Sequence, residues 1–515
     1  MRKKIFKIAF LPVIAALLIA PALYAKKESG KVNLKGFSAF VEKIRQEWGI
    51  PGCAVAIVKD GKVVFARGFG CRDVENKLPV TADTLFAIGS NTKTFTATIL
   101  GILVDQGKMA WEKPVQRYLP GFRLQDPVAS RLMTPVDLLT HRSGLPRHDT
   151  VWYKSSTSRQ ELINRLAYLE PSASFRSTFQ YNNLMFVAAG YMAGKIAGTS
   201  WEELVRQHIF APLGMKTSNF SVNDSQKAAD FSFPYSERDG KVVKIPFRIL
   251  DNAGPAGSIN SSVNEMANWL LLNLNKGKFR GKQVISAKNL QKLHSPQIIG
   301  RSTLGRDDEI LYSLYGMGWG IMIYRGNPII AHSGGIDGFI SWMAFLPKYN
   351  AGIVILTNKD RNGRNVTSIV SKNVYDRILR LPLVPWAERI RKRAAESRKR
   401  AEEYWKKNKE ERTTGTKPSH KLADYCGEFE NPGYGIITIR KDGDILKAEY
   451  NDIYADLKGE HYHYDTFEFT AAANKGRKFK ATFHTDIKGN INKLSIPFQP
   501  GVKDIEFTRL PEKKK

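Results

Sequence analysis

A dense run of charged residues divides this chain and limits how it can fold. Residues 386–412, WAERIRKRAAESRKRAEEYWKKNKEER, carry 11 basic and 6 acidic side chains. Acidic residues stand four places before basic ones, an order that supports an exposed helix. The pairs are Glu388–Lys392, Glu396–Arg400, Glu402–Lys406 and Glu403–Lys407. Together with the following TTGTKPSH, the run predicts a charged helical linker over residues 386–420, with a separate folding unit on each side.

The two parts beside this linker differ in pattern. Residues 33–385 mix helical and strand patterns, whereas residues 421–512 show short recurring strands with turns at Asp442-Gly443 and around Lys488-Gly489. The first part predicts a domain of the α/β (α+β) class, and the second predicts a separate small β-barrel or sandwich. A chain that ends near Leu383 is therefore expected to fold and keep its chemistry.

The N-terminus predicts a signal peptide over residues 1–25. A basic start, MRKK, precedes an apolar run that is shorter than the roughly 20 residues needed to span a bilayer, so a retained membrane anchor is the weaker alternative. Small residues allow cleavage after Ala22 or Ala25, and the choice stays open. The chain is thus expected to be exported, periplasmic or secreted.

Export would allow disulfides, which makes the three cysteines informative. The segment CAVAIVKDGKVVFARGF predicts a hairpin turning at Asp60-Gly61, which places Cys53 opposite Gly68. Cys71 then lies roughly 10 Å farther along the strand, beyond the distance that a disulfide spans. Three free thiols are expected for Cys53, Cys71 and Cys426, unless a bulge shifts the register.

The formal net charge of +30 raises the question of a polyanionic partner. Lysine and arginine are spread along the chain and no nucleic-acid motif stands out, so no nucleic acid is expected as a partner. An exported protein instead meets anionic envelope polymers. The linker helix is either a solvated spacer or a contact to membrane or cell wall.

Ser90 and Lys93, in the segment AIGSNTKTFTATIL, indicate a nucleophile with an amine beside it. The apolar residues Phe95, Ile99 and Leu103 predict a buried helix that begins near Ser90. Residues three apart share a helix face, and burial can lower a lysine pKa until the amine accepts the serine proton. A lone Ser-x-x-Lys also occurs by chance in a chain of this length.

Two further motifs follow in order. FQYNNLMFVAAGYMAG places Tyr181 and Asn183 just before an apolar helix, and IIAHSGGIDGFISWMAFLP places His332-Ser333-Gly334-Gly335 on an apolar strand. Taken singly, each has an ordinary structural explanation as a packed aromatic, a helix cap, a core histidine or a turn. Their joint presence and order favour a catalytic site.

Together the three motifs resemble those of the serine β-lactamase and penicillin-binding protein superfamily, in particular its class C-like branch of D-stereospecific peptidases, aminopeptidases and esterases. The segments IPGCAVAIVKDGKVVFARGFG, TPVDLLTHRSGLP and GPAGSINSSVNEMANWL are also similar, and the likeness covers about residues 36–380. It implies a β-lactamase-like transpeptidase fold, with an antiparallel sheet flanked by helices plus a helical subdomain. The tail resembles a β-barrel often appended to this branch.

The resemblance also implies a mechanism. Ser90 would form an acyl-enzyme, and Lys93 and Tyr181 would share the proton transfers, with the principal base left open. The backbone N–H groups of Ser90 and Gly335 would bind the oxyanion. The implied residues are Ser90, Lys93 and Tyr181 for catalysis, and Asn183, His332, Gly334 and Gly335 for substrate and oxyanion binding. No metal or other cofactor is required.

His332 bears on the substrate, because classical β-lactamases carry lysine there. A histidine with a reference pKa of about 6.5 is only partly charged at neutral pH, which favours a small peptide or ester substrate that needs no carboxylate clamp. The alternatives are a β-lactamase or DD-carboxypeptidase, with Arg142 or Arg301 binding the carboxylate, and a non-catalytic relative that binds peptidoglycan.

Other marked residues have structural explanations. Thr134, Pro135 and Asp137 predict a helix start, and Ser262 with Glu265 predicts a capping box. His141 and Arg142, between the two, are interpreted as structural. His461 and His463 share a strand face but lack a third ligand, so a metal site is not expected there.

Overall fold

The computed structural model describes residues 31–300, 307–408, 412–451, 457–471 and 478–511. The predicted signal peptide and Arg301 lie outside these residues. The α-helices of the described residues are Phe37–Glu47, Thr92–Asp105, Pro127–Leu132, Pro135–Leu139, Arg159–Arg165, Asn183–Ala197, Trp201–Val205, Ala211–Leu213, Val222–Ser225, Gly254–Gly257, Val263–Leu274, Ala287–Leu293, Asn362–Leu379 and Trp386–Asn408. Within the same residues, none of these helices is long and apolar enough to cross a membrane.

The domain that carries Ser90, residues 33–385 and here called the catalytic domain, is built on a nine-stranded antiparallel sheet. In spatial order its strands are Ile298–Ile299, Ile310–Tyr315, Gly320–Tyr324, Asn327–Ile336, Phe339–Leu346, Ala351–Thr357, Gly52–Lys59, Lys62–Asp73 and Leu78–Pro79. The first hairpin of the chain thus pairs with the last strand of the domain. This sheet with flanking helices confirms the predicted β-lactamase-like fold class.

Both faces of the central strands are covered by helices. All residues of Gly52–Val58 are buried. Because successive side chains of a strand point to opposite faces, burial of every residue means that both faces of this strand are covered. Cys53, Val55 and Ile57 join a cluster with helices Phe37–Glu47 and Asn362–Leu379. The opposite face packs on the helical subdomain, which contains the active-site helix Thr92–Asp105. The sheet is therefore the middle layer of the domain.

The first hairpin differs from its predicted register by one residue. Asp60 and Gly61 have φ of 48° and 80°, as the predicted type I′ turn requires. A bulge between Ile57 and Val58, however, pairs Cys53 with Phe69 rather than with Gly68. All three cysteines are free, and burial raises the pKa of the Cys53 thiol to about 12.

The two predicted helix starts have different outcomes. Thr134 and Asp137 form a reciprocal capping box with Pro135 in the first turn. At the second start Ser262 accepts from the Glu265 N–H, but the Glu265 carboxylate instead accepts from the backbone N–H groups of Thr217 and Ser218 at 2.8 Å. The capping-box prediction for Ser262 and Glu265 is therefore wrong in its reciprocal half.

The charged helix Trp386–Asn408 is packed on the catalytic domain along its first half. Trp386 and Ile390 are buried against the sheet cluster, and Arg389 and Arg393 form ion pairs with Glu309 and Asp307. The interpretation of this half as a solvated spacer is thus incorrect. A chain ending near Leu383 would lose the buried Trp386, a type of loss that costs about 3–5 kcal/mol in protein cores.

The C-terminal domain is a closed barrel of eight strands, as one of the two predicted tail architectures requires. Its strands are Gly427–Asn431, Gly435–Asp442, Ile445–Glu449, Leu457–His463, Thr466–Ala471, Lys478–Thr485, Ile491–Ile496 and Ile505–Arg509. Each strand pairs with its neighbours in sequence, and Gly427–Asn431 closes on Ile505–Arg509. The barrel packs against the catalytic domain through buried side chains around Tyr434 and Tyr450.

Candidate active site

Ser90 lies in a turn that opens the active-site helix. The turn Gly89–Asn91 is a 3-10 helix, and the α-helix Thr92–Asp105 follows directly. Residues 92–103 of that helix are all buried, which agrees with the apolar pattern in the sequence. The serine is therefore carried on a rigid element, at the end where backbone N–H groups are free.

Lys93 is completely buried, and three acceptors surround its amine. Lys93 Nζ lies 3.1 Å from Ser90 Oγ, 2.7 Å from Asn183 Oδ1 and 2.6 Å from the carbonyl oxygen of Ala256. None of these groups carries a negative charge. Burial, with a smaller contribution from Arg147, holds the pKa of Lys93 well below its usual value. Its amine can therefore accept the Ser90 proton.

Tyr181 lies beside the pair of Lys93 and Ser90. The centre of its ring is 5.0 Å from Lys93 Nζ, the atom that lies 3.1 Å from Ser90 Oγ. Burial raises the pKa of Tyr181 to about 12. The phenol therefore keeps its proton at neutral pH and can donate it.

Asn182 and Asn183 divide two tasks at the start of helix Asn183–Ala197. The Asn182 side chain caps the helix by accepting from the Met185 N–H. The Asn183 side chain is thereby free to accept from Lys93 and to donate 3.0 Å to Asp149 Oδ1. The cap interpretation thus applies to residue 182, and the Asn183 side chain contacts Lys93.

Two close-packed glycines bring strand Asn327–Ile336 against the Ser90 turn. A Cβ on Gly334 would lie 1.9 Å from the Ile88 carbonyl oxygen, and one on Gly89, whose φ is +52°, would lie 2.7 Å from the backbone nitrogen of Gly335. Gly334 therefore permits the close approach. Gly335 lines the cavity beside Ser90.

His332 is neutral in this structure, contrary to the expected titration near pH 6.5. Burial lowers its pKa to about 3. Its Nδ1 lies 2.7 Å from the Ser333 carbonyl oxygen, which can only accept, so Nε2 accepts from the Tyr315 hydroxyl at 3.0 Å. Both ring nitrogens are therefore occupied. The described lining of the cavity does not include His332.

The His141 ring packs against the Tyr181 ring. Its ring lies 4.2 Å, centre to centre, from that of Tyr181, and its Nδ1 accepts from the Asn182 N–H at 3.1 Å. Arg142 forms an ion pair with buried Asp137 at 2.6 Å. Arg142 is thus committed to the fold and does not replace His332 as a substrate-binding cation.

The cavity at Ser90 has a volume of about 350 Å³. Besides Ser90, Asn183 and Gly335 it is lined by charged residues that sequence reasoning missed: Arg147, Asp149, Asp337, Asp360, Arg361 and Arg364. The Arg364 guanidinium lies against Gly335, since a Cβ there would be 2.8 Å from it. Nothing in the sequence pattern sets these residues apart from ordinary surface charges.

The histidines of the barrel show no metal-site geometry. His461 Nε2 is 2.8 Å from the Tyr464 carbonyl oxygen. Across the described part of the chain, no group of three histidine, cysteine, aspartate or glutamate side chains is arranged to hold a metal ion.

Comparison with models of protein families identifies the family of this chain. The Beta-lactamase family model matches residues 37–369, and a domain of unknown function, DUF3471, matches residues 411–509. The chain therefore belongs to the beta-lactamase family, within the serine β-lactamase and penicillin-binding protein superfamily. This confirms the resemblance found in the sequence motifs.

Curated relatives include hydrolases. An unguisins hydrolase of Aspergillus campestris is 28% identical over 450 residues, covering 84% of this chain and 81% of the relative. The unguisins hydrolase of Aspergillus violaceofuscus is 27% identical, covering 82% and 81%. Protein flp of Staphylococcus aureus is 26% identical, covering 62% of this chain and 61% of the relative.

Solved structures share the fold. The octameric penicillin-binding protein homologue from Pyrococcus abyssi covers 92% of this chain and is itself covered completely, with a TM-score of 0.58 and 22% identity. A D-amino acid amidase from Ochrobactrum anthropi covers 67% of this chain and is covered over 97% of its own, with a TM-score of 0.53 and 24% identity. Both domains of the chain thus have counterparts in one known architecture.

Proposed function

We propose that this protein is an exported serine hydrolase that acts on small peptides, including those of D-amino acids, or on esters through an acyl-enzyme at Ser90. The observation that supports it most directly is the contact between buried Lys93 and Ser90. A lysine without a neighbouring carboxylate partner costs stability when buried. Such a residue is retained where its basicity is used.

Lys93 is the base in this proposal. Its neutral amine takes the Ser90 hydroxyl proton while Ser90 Oγ forms a bond to the substrate carbonyl carbon. The electron pair of the carbonyl π bond moves to the carbonyl oxygen. The backbone N–H groups of Ser90 and Gly335 stabilise this oxyanion.

Tyr181 is the acid, because its raised pKa keeps the phenol protonated. When the oxyanion collapses, the bond to the leaving amine or alcohol breaks, and that group takes the Tyr181 proton. The Lys93 ammonium then gives its proton to the Tyr181 phenolate, which restores both groups. In the second half of the reaction Lys93 accepts a proton from the attacking water, whose oxygen forms a bond to the acyl carbon. When this second oxyanion collapses, the bond from the acyl carbon to Ser90 Oγ breaks, and Ser90 Oγ takes the proton from Lys93.

The substrate class rests on the cavity and on the relatives. Two relatives are named as hydrolases of unguisins, and a structural relative is named as a D-amino acid amidase. His332 is neutral, and among the arginines that line the cavity Arg364 lies against Gly335, so we assign Arg364 as the cation that would receive a substrate carboxylate. Arg364→Gln should raise KM for a carboxylate-bearing amide about tenfold or more and leave KM for a neutral ester nearly unchanged.

Labelling with a fluorophosphonate tests the nucleophile. The intact mass should increase by one phosphonyl group, and peptide mapping should place it on Ser90. Ser90→Ala should abolish labelling, whereas Ser177→Ala, a change at an exposed serine, should label as the wild type does. An unlabelled wild-type protein would favour the non-catalytic peptidoglycan-binding alternative.

A substrate panel separates the remaining alternatives. Incubation with penicillins, activated esters and D-amino-acid amides, followed by intact-mass analysis, shows which acyl groups accumulate and which turn over. Rapid penicillin turnover would support a β-lactamase or DD-carboxypeptidase activity instead. Export is tested separately by the mature N-terminus of the natively expressed protein, and contact with anionic cell-envelope polymers by cosedimentation with cell walls.

A further inference from the structure

One short loop contacts both the active site and the barrel. Residues 147–150, here called the bridging loop, contain Arg147, His148, Asp149 and Thr150. On the active-site side, Asp149 Oδ1 accepts from Asn183 Nδ2 at 3.0 Å. Arg147 forms an ion pair with Asp149 at 2.5 Å, and its guanidinium lies 5.1 Å from the centre of the Tyr181 ring. Two charges of the cavity thus come from this loop.

The other side of the bridging loop is held by the barrel. The His148 N–H donates to Gln499 Oε1 at 2.6 Å, and His148 Nδ1 lies 2.6 Å from the Tyr434 hydroxyl. The Tyr450 hydroxyl and the Asn451 amide donate to the Thr150 carbonyl oxygen at 3.2 and 3.1 Å. Four barrel side chains therefore hold the two residues that flank Asp149.

The contact between His148 and Tyr434 has only one hydrogen-bonding arrangement. His148 Nε2 lies 3.0 Å from the Glu170 carbonyl oxygen, which can only accept, so Nε2 carries the proton. Burial lowers the pKa of His148 to about 4, so the ring is neutral and Nδ1 accepts from Tyr434. The bond is therefore lost when the tyrosine hydroxyl is removed.

The loop backbone also needs outside support. His148 has φ 46° and ψ 38°, a left-handed conformation that costs a non-glycine residue free energy unless its surroundings hold it. His148 is fully buried between the two domains. Gln499 and Tyr434 of the barrel, together with the Glu170 carbonyl oxygen, hold His148 in this conformation.

We propose that the barrel is a positioning element of the active site: through Tyr434 and Gln499 it holds the bridging loop so that Asp149 and Arg147 stay against Asn183 and Tyr181. This proposal rests on the proposed function, because the positioned groups are those of the Ser90 chemistry. It gives the C-terminal domain a role in turnover without any contact to the substrate.

The loop would act on Lys93 by position and by charge. The polar and titratable groups around Lys93 are Ser90, Asn183, Tyr181, His141, His332 and the two charged loop residues, Arg147 and Asp149. Arg147 lowers the pKa of Lys93, and Asp149 raises it by less. A loosened loop that admits water would weaken both the burial and the Arg147 effect, so the pKa of Lys93 should rise.

The double variant Tyr434→Phe with Gln499→Leu tests the proposal in the full-length protein. We expect kcat for a small neutral ester to fall about tenfold or more, KM to change less, and the acid limb of the kcat–pH profile to move to higher pH. The matched control is Tyr425→Phe, which removes the hydroxyl of another buried barrel tyrosine, one bonded to Asp465 within the barrel. Its kcat and profile should match the wild type.

Hydrogen exchange separates this proposal from the proposed function. Amides of residues 147–153 should exchange faster in the double variant than in the control, whether or not the protein is an enzyme. If the double variant fails to fold, Tyr434→Phe alone is measured by the same readouts. Wild-type labelling at Ser90 with an unchanged profile and unchanged exchange in the variant would overturn the positioning role. Faster exchange without any Ser90 labelling would overturn the proposed function alone.

Discussion

Two lysines are buried in the catalytic domain, and their surroundings are opposite. Lys359 donates to the Gly49 carbonyl oxygen at 3.0 Å and forms an ion pair with Glu237 at 2.8 Å. Lys93 contacts only uncharged acceptors, those of Ser90, Asn183 and Ala256. The comparison teaches that burial alone does not define a catalytic base. Lys359 has a carboxylate partner, whereas Lys93 has none among the described residues, and burial lowers the pKa of Lys93.

The largest expected effect separates the two lysines by turnover. Lys93→Met should lower kcat for an ester by about 10²–10⁴-fold, because the base is lost, while the protein stays folded. Lys359→Met should keep kcat within a few-fold but lower the free energy of unfolding by about 1–2 kcal/mol, because Gly49 and Glu237 lose their donor. Kinetics and chemical denaturation measure both. Equal loss of turnover in the two variants would break the comparison.

The next effect is on stability as a function of pH. The folded pKa of Lys93 is lowered, so between that value and about 10.4 the unfolded chain binds a proton that the folded chain does not. Stability should therefore rise with pH across this window, by at most about 1.4 kcal/mol per pH unit. Lys93→Met should lack this contribution. The free energy of unfolding is measured in urea at several pH values for the wild type and for Lys93→Met. If the two plots of this free energy against pH were parallel, Lys93 would be charged in the folded protein and the prediction would be wrong.

A smaller effect comes from the two loop charges, which should act in opposite directions. Asp149→Asn removes a carboxylate that raises the pKa of Lys93, so the acid limb of kcat should move to lower pH. Arg147→Gln removes a cation that lowers it, so the limb should move to higher pH. Shifts of up to about one pH unit are expected. Glu237→Gln, beside Lys359, is the control and should leave the limb in place.

The smallest effect is expected at His332. Its pKa of about 3 places its titration below the working range, so His332→Gln should not move any limb of the profile between pH 5 and 8. A glutamine can still accept from Tyr315, and kcat should stay within about tenfold. A limb near pH 6.5 that disappears in this variant would show that His332 is charged during turnover.

The sequence motifs predicted the centre of the site but not its surroundings. The spacing of Ser90 and Lys93 on a helix, and the order of Tyr181 and Asn183, are local or family patterns, and the structure brings these four residues together. The lowered pKa of His332 comes from its burial and from Lys93, which lies on a helix far from His332 in the sequence. Burial and tertiary neighbours set such a pKa, and neither is visible in a motif.

The barrel shows the same limit. Its strands and turns follow from short-range patterns, and its eightfold closure agrees with the predicted class. The contact between the barrel and the catalytic domain does not follow from short-range patterns, because His148 and Tyr434 are 286 positions apart in the chain. Tyr434 lies in the turn between strands Gly427–Asn431 and Gly435–Asp442, and nothing in that short pattern indicates its distant partner. The predicted register of the first hairpin is likewise wrong because of one bulge, a single extra residue that residue propensities do not predict.

The pairing of the first hairpin with the last strand has a consequence for how the protein is made. Cys53 pairs with Thr357, and strand Phe339–Leu346 pairs with Ala351–Thr357 on its other edge. Before residue 357 has been synthesised, strands Gly52–Lys59 and Phe339–Leu346 lack the complete strand that lies between them in the sheet, Ala351–Thr357. Translation must therefore run through most of the domain before its central sheet can close. Until then both strands expose open edges to which molecular chaperones can bind.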